Sequence, residues 1–315
     1  TRFQDFTTGS WALFKNPNCK LLALNVQPYD TIKHGAMSLV ADARCGLIAL
    51  SDGLQGYIGP NLDQALRIEW YRDADAVTAA PKSEAGLPTD MQVIGAVQRA
   101  SNDKTTVMSA AGTMPGELHK LWKASGPGAY HMEYGYSCMG YEIAGGLGIR
   151  LAKNDGDVYV MVGDGSFLMM NSEIVTALQE KLKLIILLIN NHGFASINGL
   201  SISLGSKGFG NLYRQRDYKS GKYTGKELPI NFSNIAKSLG IEANKVQKSN
   251  ELVRALEEAR KNSYSTLIEV SVDPEIRVPG YESWWNVPVA EVSEMPAVVQ
   301  ARTEYEKKLK DEREF

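Results

Sequence analysis

What this sequence has little of removes several classes of function. Its 315 residues hold three cysteines, Cys19, Cys45 and Cys138, scattered without the paired spacing of a zinc site or a disulfide framework. The expectation is reduced thiols and a cytoplasmic protein. Charge of one sign is missing as well: 34 basic and 36 acidic residues give a net charge of −2. The two signs are well mixed, so there is no electrostatic footprint for nucleic acid or for an anionic membrane. No apolar run approaches the roughly 20 residues of a membrane span, no signal peptide is visible, and there is no internal repeat or low-complexity segment. The chain also lacks an initiator Met: TRFQDFTTGSW reads as the interior of a domain, which predicts a truncated or processed chain.

What is present reads as α/β. Lys20 to Val26 and Gly46 to Ser51 are expected as short buried strands, the later part of a small α/β unit over residues 1–78. A helix is expected over Leu54 to Arg72, and the Ala-, Pro- and Gly-containing stretch 79–87 suits a linker. From Pro88 a second unit begins. Thr89 caps a short helix carrying Val93, Ile94 and Val97. Thr105 to Ala110 is a strand, followed by a loop and helix to Trp122. Thr113 stands at that strand's end, where its hydroxyl could reach a diphosphate or simply cap the helix. Further on, helices over Asn231 to Leu239 and Ser249 to Asn262 alternate with strands over Ala243 to Val246 and Ser265 to Val272. That pattern predicts a doubly wound parallel sheet over 88–272, with a tail over 273–315 that carries Trp284-Trp285, an aromatic pair suited to docking, and a charged helix over Pro296 to Lys310.

The most informative stretch runs from Val158 to Asn191. VYVMVGDG is a buried parallel strand breaking into a Gly-Asp-Gly loop. Ser166 is expected to cap a helix of about four turns bearing Ile174, Val175, Leu178 and Leu182, and Leu184 to Ile189 is a second buried strand ending in Asn190-Asn191. A right-handed βαβ unit sets both loops side by side at the carboxyl edge of the sheet. Asp164 and Asn191 then offer hard oxygen ligands beside a helix start, a combination that suits Mg²⁺ already bound to a diphosphate. Upstream, His131 to Ala152 puts glycines at 140, 145, 146 and 148 into a helical pattern, each costing up to about 1 kcal/mol against Ala. Close packing or the approach of a ligand must compensate. Beyond Asn191 the text is Gly-rich and basic without periodicity, as expected of a long ordered loop covering a site.

GDG, then twenty-four residues, then NN resembles the signature of the thiamine diphosphate-dependent enzymes. The resemblance covers about residues 88–272 with the pyrophosphate-binding domain, and the segment before it with the end of the family's middle domain. It implies thiamine diphosphate and Mg²⁺ as cofactors, with metal ligands at Asp164, Asn191 and the Gly193 carbonyl. Gly163, Gly165, Ser166 and Thr113 join the cofactor-binding set. Met139 becomes the residue that props the cofactor in its bent form, with backbone groups of Ser137 and Met139 on the pyrimidine. His131, Glu133 and His192 are candidates for the substrate side. The family's activating Glu sits on a pyrimidine-binding domain that is absent from these 315 residues, usually reaching the site from a partner subunit. The expected partners are therefore a small-molecule substrate and a homodimer or tetramer with the site at a subunit interface. TRFQDFTTGSW, EYGYSCMGYEIAGGLG, NNHGFASINGLS and WWNVPVAEVSE narrow the resemblance to the branch that hydrolyses a carbon–carbon bond of a cyclic 1,2-diketone. An acetolactate synthase-like or decarboxylase activity, or a non-catalytic subunit, are the alternatives.

Overall fold

The computed structural model describes residues 3–59, 61, 63–81, 86–133, 135–280 and 284–312. The chain forms two compact units, one of residues 1–64 with 280–315 and one of residues 65–279. The first holds α1 (Asp5–Thr8), β1 (Leu22–Asn25), α2 (Pro28–Thr31), β2 (Met37–Val40) and α3 (Ala43–Gly53). Its two strands pair in parallel from Leu22 opposite Met37 to Asn25 opposite Val40. The strand expected at Gly46 to Ser51 is therefore helix α3, and β2 takes its place in the sheet. A short apolar run fits either structure by pattern. Here Asp42 decides, because its carboxylate accepts from the N–H groups of Arg44 (2.9 Å) and Cys45 (3.2 Å) and starts a helix.

The second unit begins with α4 (Gln64–Thr78), ten residues later than the helix expected at Leu54. Ala74 and Thr78 of α4 are buried, the Thr78 carbonyl accepts from Arg99 Nη1 at 2.9 Å, and the Trp70 indole donates to the Lys120 carbonyl at 3.0 Å. Those contacts place α4 with the large sheet, so the boundaries fall at 64/65 and 279/280 where the sequence suggested 78 and 272. Residues 82–85 of the expected linker lie outside the described residues. The elements then run α5 (Asp90–Ala100), β3 (Thr106–Ser109), α6 (Met114–Leu121), β4 (Tyr130–Met132), α7 (Tyr141–Ala152), β5 (Val158–Gly163), α8 (Asp164–Met169), α9 (Glu173–Gln179), β6 (Ile185–Asn190), α10 (Ala195–Ser203), α11 (Phe232–Ser238), β7 (Glu242–Val246), α12 (Ser249–Lys261) and β8 (Thr266–Ser271). The remaining helix, α13 (Pro296–Leu309), belongs to the first unit.

All six strands of the second unit are parallel, in the order β4-β3-β5-β6-β8-β7. Every residue of β3, β6 and β8 is buried, as continuous apolar runs covered on both faces require. Alternation sorts those side chains between two cores. Tyr159, Met161, Leu187, Ile189 and Val270 pack with α5, α6 and α12, while Val158, Val160, Val162, Leu188 and Leu267 pack with α7, α9 and α11. After β3 the chain winds outward to β4 and then returns to β5 on the other side. That reversal makes the carboxyl ends of β3 and β5 the switch point, where ligands bind in sheets of this kind.

Two expectations near that point need correction. Ser166 caps no four-turn helix: Gly163 is the cap position, Asp164 is already helical, and α8 stops after six residues at Met170 (φ −153°, ψ 89°) before α9 begins. The segment after Asn191 is not loop throughout, since α10 occupies Ala195–Ser203. The rest of it is tied by bridges between Gly193 and Leu212, Arg214 and Glu227, and Asp217 and Lys222.

Candidate functional site

Strands β5 and β6 pair in register up to Gly163 opposite Ile189, so the residues that follow each strand emerge level with one another. Asp164 is fully buried. One of its oxygens accepts from its neighbour Gly165 N–H at 2.7 Å, and the other reaches across to Gly193 N–H at 3.1 Å. A single carboxylate thus ties the GDG loop to the NN loop. Burial pushes that carboxyl up to about 7, against hydrogen bonds from the main chain of Gly193, Gly165, His192 and Asn191 that act to lower it.

The NN loop is anchored from beneath. Asn190 donates from Nδ2 to Glu269 Oε1 at 2.9 Å and accepts from His192 N–H at 3.2 Å. Burial alone would raise the Glu269 carboxyl, but Ser233, Asn190 and Lys245 together hold it below its ordinary value. Asn191 is buried like its neighbour, but its Oδ1 has no hydrogen-bond partner. His192 and Gly193 both take positive φ, +59° and +148°. At Gly193 a Cβ would stand 2.4 Å from the Asn211 carbonyl oxygen, so only glycine lets the 211–213 segment close on the loop. His192 is half-buried, with Nδ1 unpartnered and Nε2 3.9 Å from Glu227 Oε2. Over Gly165 lie the ring of Phe194 and the hydroxyl of Tyr213, 2.7 and 3.3 Å from where a Cβ would be. Burial, and then the Asp164 charge, push the Tyr213 phenol up to about 12.

Thr113 stands beside this edge, at the start of α6, with its hydroxyl committed to a buried carboxylate. Its Oγ1 lies 3.0 Å from Asp90 Oδ2, which Arg277 Nη1 approaches at 3.3 Å. Thr113 occupies the N-cap position of α6, but its hydroxyl makes no capping bond there. Nearby Glu117 is buried with both oxygens unpartnered, as is Asp90 Oδ1. Burial raises both carboxyls, Asp90 to about 6 and Glu117 to about 8, the latter also through the Asp90 charge and against Arg277.

The turn before α7 is the third wall. Glu133 accepts from Tyr136 N–H (3.0 Å) and Cys138 N–H (2.8 Å), bonds that hold its carboxyl below the usual range. The carboxylate offered for the substrate side is therefore spent on shaping the turn. His131 is exposed on the edge strand β4. Ser137 is exposed at φ +52°, with its hydroxyl 3.4 Å from the Ala110 carbonyl, and Met139 is half-buried. Gly140 then enters α7 at φ +92°, its N–H donated to Glu142 Oε2 at 2.9 Å. Glu142 and Glu269 are the residues that pattern reading passed over. A lone charge inside GYEIAGG and another inside STLIEVSV were the available signals, since a buried carboxylate is retained only where it is hydrogen-bonded. Two of the helical glycines also find their reason. A Cβ at Gly145 would meet Met108 Cε at 2.7 Å and one at Gly146 would meet Val160 Cγ2 at 2.3 Å, so α7 lies directly on the sheet.

Among the described residues no three His, Cys, Asp or Glu side chains gather as a metal cage. One carboxylate, one orphaned amide oxygen and main-chain groups suit a hard cation that takes the rest of its shell from a ligand's own oxygens.

Comparison with known proteins bears on that chemistry. Residues 110–270 match the family model of the thiamine pyrophosphate enzyme C-terminal TPP-binding domain. The chain is similar to the 3D-(3,5/4)-trihydroxycyclohexane-1,2-dione hydrolase of Geobacillus thermodenitrificans, 38% identical over all of this chain and 53% of the relative. The hydrolase of the same name from Clostridium tetani is 36% identical over 98% of this chain and 52% of its own length. The chain thus spans about half the length of these relatives. Among solved structures it is similar to the thiamine diphosphate-dependent 4-hydroxybenzoylformate decarboxylase of Rhodococcus jostii RHA1, with a TM-score of 0.61 and 19% identity over 82% of this chain and 44% of that one, a likeness of fold.

Proposed function

Because this chain belongs to the thiamine pyrophosphate enzyme family, we propose that its switch point holds thiamine diphosphate through Mg²⁺, with Asp164, Asn191 Oδ1 and the Gly193 carbonyl as the metal's protein ligands. The observation that carries this is the Asn191 oxygen, buried without a partner on the loop that the Asp164 carboxylate already grips. A buried polar atom left unsatisfied in a native fold calls for a missing ion or water. A cation there would give that oxygen a partner and the buried Asp164 charge a counter-charge. Mg²⁺ keeps an octahedral shell and draws much of it from phosphate oxygens and water, so this short ligand set is sufficient.

The activity we assign is hydrolysis of a carbon–carbon bond in a cyclic 1,2-diketone, trihydroxycyclohexane-1,2-dione to 5-deoxyglucuronate, in inositol catabolism. The names of the relatives support the hydrolysis of that dione, and the product and pathway follow from the family resemblance of the turn and tail motifs. When bound, the cofactor supplies an electron sink for the bond that breaks. This chain's part is to fix the diphosphate end at Asp164 and Asn191, prop the bent form at Met139, and offer backbone groups at Ser137 and Met139 to the pyrimidine. His192 remains a substrate-side candidate, with Nδ1 uncommitted. The complete site takes its pyrimidine-binding domain from a partner subunit, as the family resemblance implies.

Calorimetric titration with thiamine diphosphate and Mg²⁺ tests the site. Binding should be lost in Asp164→Ala and weakened at least about tenfold in Asn191→Ala, the scale of losing a charge-assisted contact; unchanged binding in both variants refutes the assignment. Product analysis with the cyclic diketone against pyruvate, with the pyrimidine-binding half supplied, separates the hydrolase from a synthase or decarboxylase.

A further inference from the structure

Three stretches far apart in sequence meet at one side chain. Glu142 lies in the first turn of α7, fully buried. Its Oε1 accepts from Ala111 N–H at 3.2 Å, in the loop leaving β3, and its Oε2 accepts from Gly140 N–H, in the turn that carries Met139. Against the burial that raises this carboxyl, the Ser166 hydroxyl, two residues after Asp164, favours its charged form. These partners are main-chain donors and a hydroxyl, with no cation among them. A carboxylate is expensive to bury on such terms, and an apolar residue would serve the packing of α7 alone. A second tie runs beside it, since a Cβ at Gly140 would stand 2.8 Å from Met170 Cβ, at the end of α8.

We propose that Glu142 is a positioning residue that fixes the distance between the Met139 turn and the Asp164 loop, and so the span that a bent, two-ended cofactor has to fit. The inference rests on the thiamine diphosphate reading given above. The diphosphate end calls on the loops of Asp164, Asn191 and Gly193, whereas the pyrimidine end calls on the turn at 137–139. A defect at Glu142 leaves the first intact and lets the second drift. It should weaken a ligand that spans both ends and spare one that occupies only the first.

Glu142→Gln keeps the shape but turns one acceptor oxygen into a donor NH₂ facing a peptide N–H. The 315-residue chain is titrated in saturating Mg²⁺ with two probes, thiamine diphosphate and inorganic pyrophosphate. The affinity for thiamine diphosphate should fall about tenfold, the scale of one hydrogen bond to a charged group, with pyrophosphate affinity held within about twofold. Glu142→Asp, whose shorter stem cannot serve Ala111 and Gly140 together, should give the same split, and it decides the matter if the Gln variant does not fold. Wild-type affinity for thiamine diphosphate in the variant overturns the proposal, and so does a parallel loss of both probes, the mark of a merely structural role. A wild-type chain that binds neither probe fails the cofactor reading itself, and the proposal with it.

Discussion

At the scale of the residue, the candidate site depends on atoms whose ordinary partners are withheld. Asn190 and Asn191 are adjacent and chemically identical, yet one is saturated by Glu269 and His192 while the other keeps a bare oxygen. Gly193 is the residue that permits this arrangement. Gly193→Ala would put a Cβ 2.4 Å from the Asn211 carbonyl at φ +148°, so we expect a loss of about 1–3 kcal/mol in stability together with loss of Mg²⁺ binding, read by chemical denaturation and calorimetry. The buried pair Asp90 and Glu117 makes a pH prediction. Both are raised in the folded state, Asp90 from 3.8 to about 6 and Glu117 from 4.5 to about 8, so between about pH 4 and pH 8 the folded chain binds more protons than the unfolded one. Stability from this pair is full below the unfolded values and falls as pH rises through the folded ones. Glu117→Gln, a neutral isostere, should therefore raise the thermal midpoint relative to wild type more at pH 8 than at pH 5. A difference independent of pH across that window contradicts the assignment.

At the scale of the element, α7 shows how one pattern can hide two physical situations. Gly145 and Gly146 lie against Met108 and Val160, whereas a Cβ at Gly148 meets nothing within 4 Å. Gly146→Ala should destabilise by about 1–3 kcal/mol through overpacking, while Gly148→Ala should stabilise by up to about 1 kcal/mol through helix propensity. Urea unfolding of the two variants checks the opposite signs. The break between α8 and α9 belongs to this scale too. Phe167 is buried while Leu168, Met169 and Met170 are 39–56% exposed, so an apolar surface stands open immediately after the GDG loop. We propose that another chain covers these side chains.

At the scale of the whole molecule, that surface supports the proposal of a dimer or tetramer with its site at a subunit interface. Sedimentation of the chain should give an assembly larger than the monomer, and Met169→Asp should shift it toward monomer. The 315 residues span about half of each similar hydrolase, and Glu133 and Glu142 are both committed within the diphosphate half.

The central strands of the large sheet, the βαβ crossing and the meeting of Asp164 with the loop of Asn191 were legible in the residues alone, because long β-branched runs ending in Gly-Asp-Gly or Asn-Asn are strong local signals; the short run GLIALS and the edge strand β4 were not. The sequence also carried the family, through words at fixed spacing. The helix at GLIALS and the turn that Glu133 shapes were local outcomes that the pattern did not single out, whereas the turn of Thr113 to Asp90 and the anchoring by Glu142 and Glu269 came from the packed fold. The Thr113, Glu142 and Glu269 outcomes depend on partners distant in the chain, Asp90, Ala111 and Asn190 among them, while Asp42 and Glu133 find theirs within five residues. A hydroxyl or carboxylate has several equivalent hydrogen-bonding choices, and packing alone selects among them.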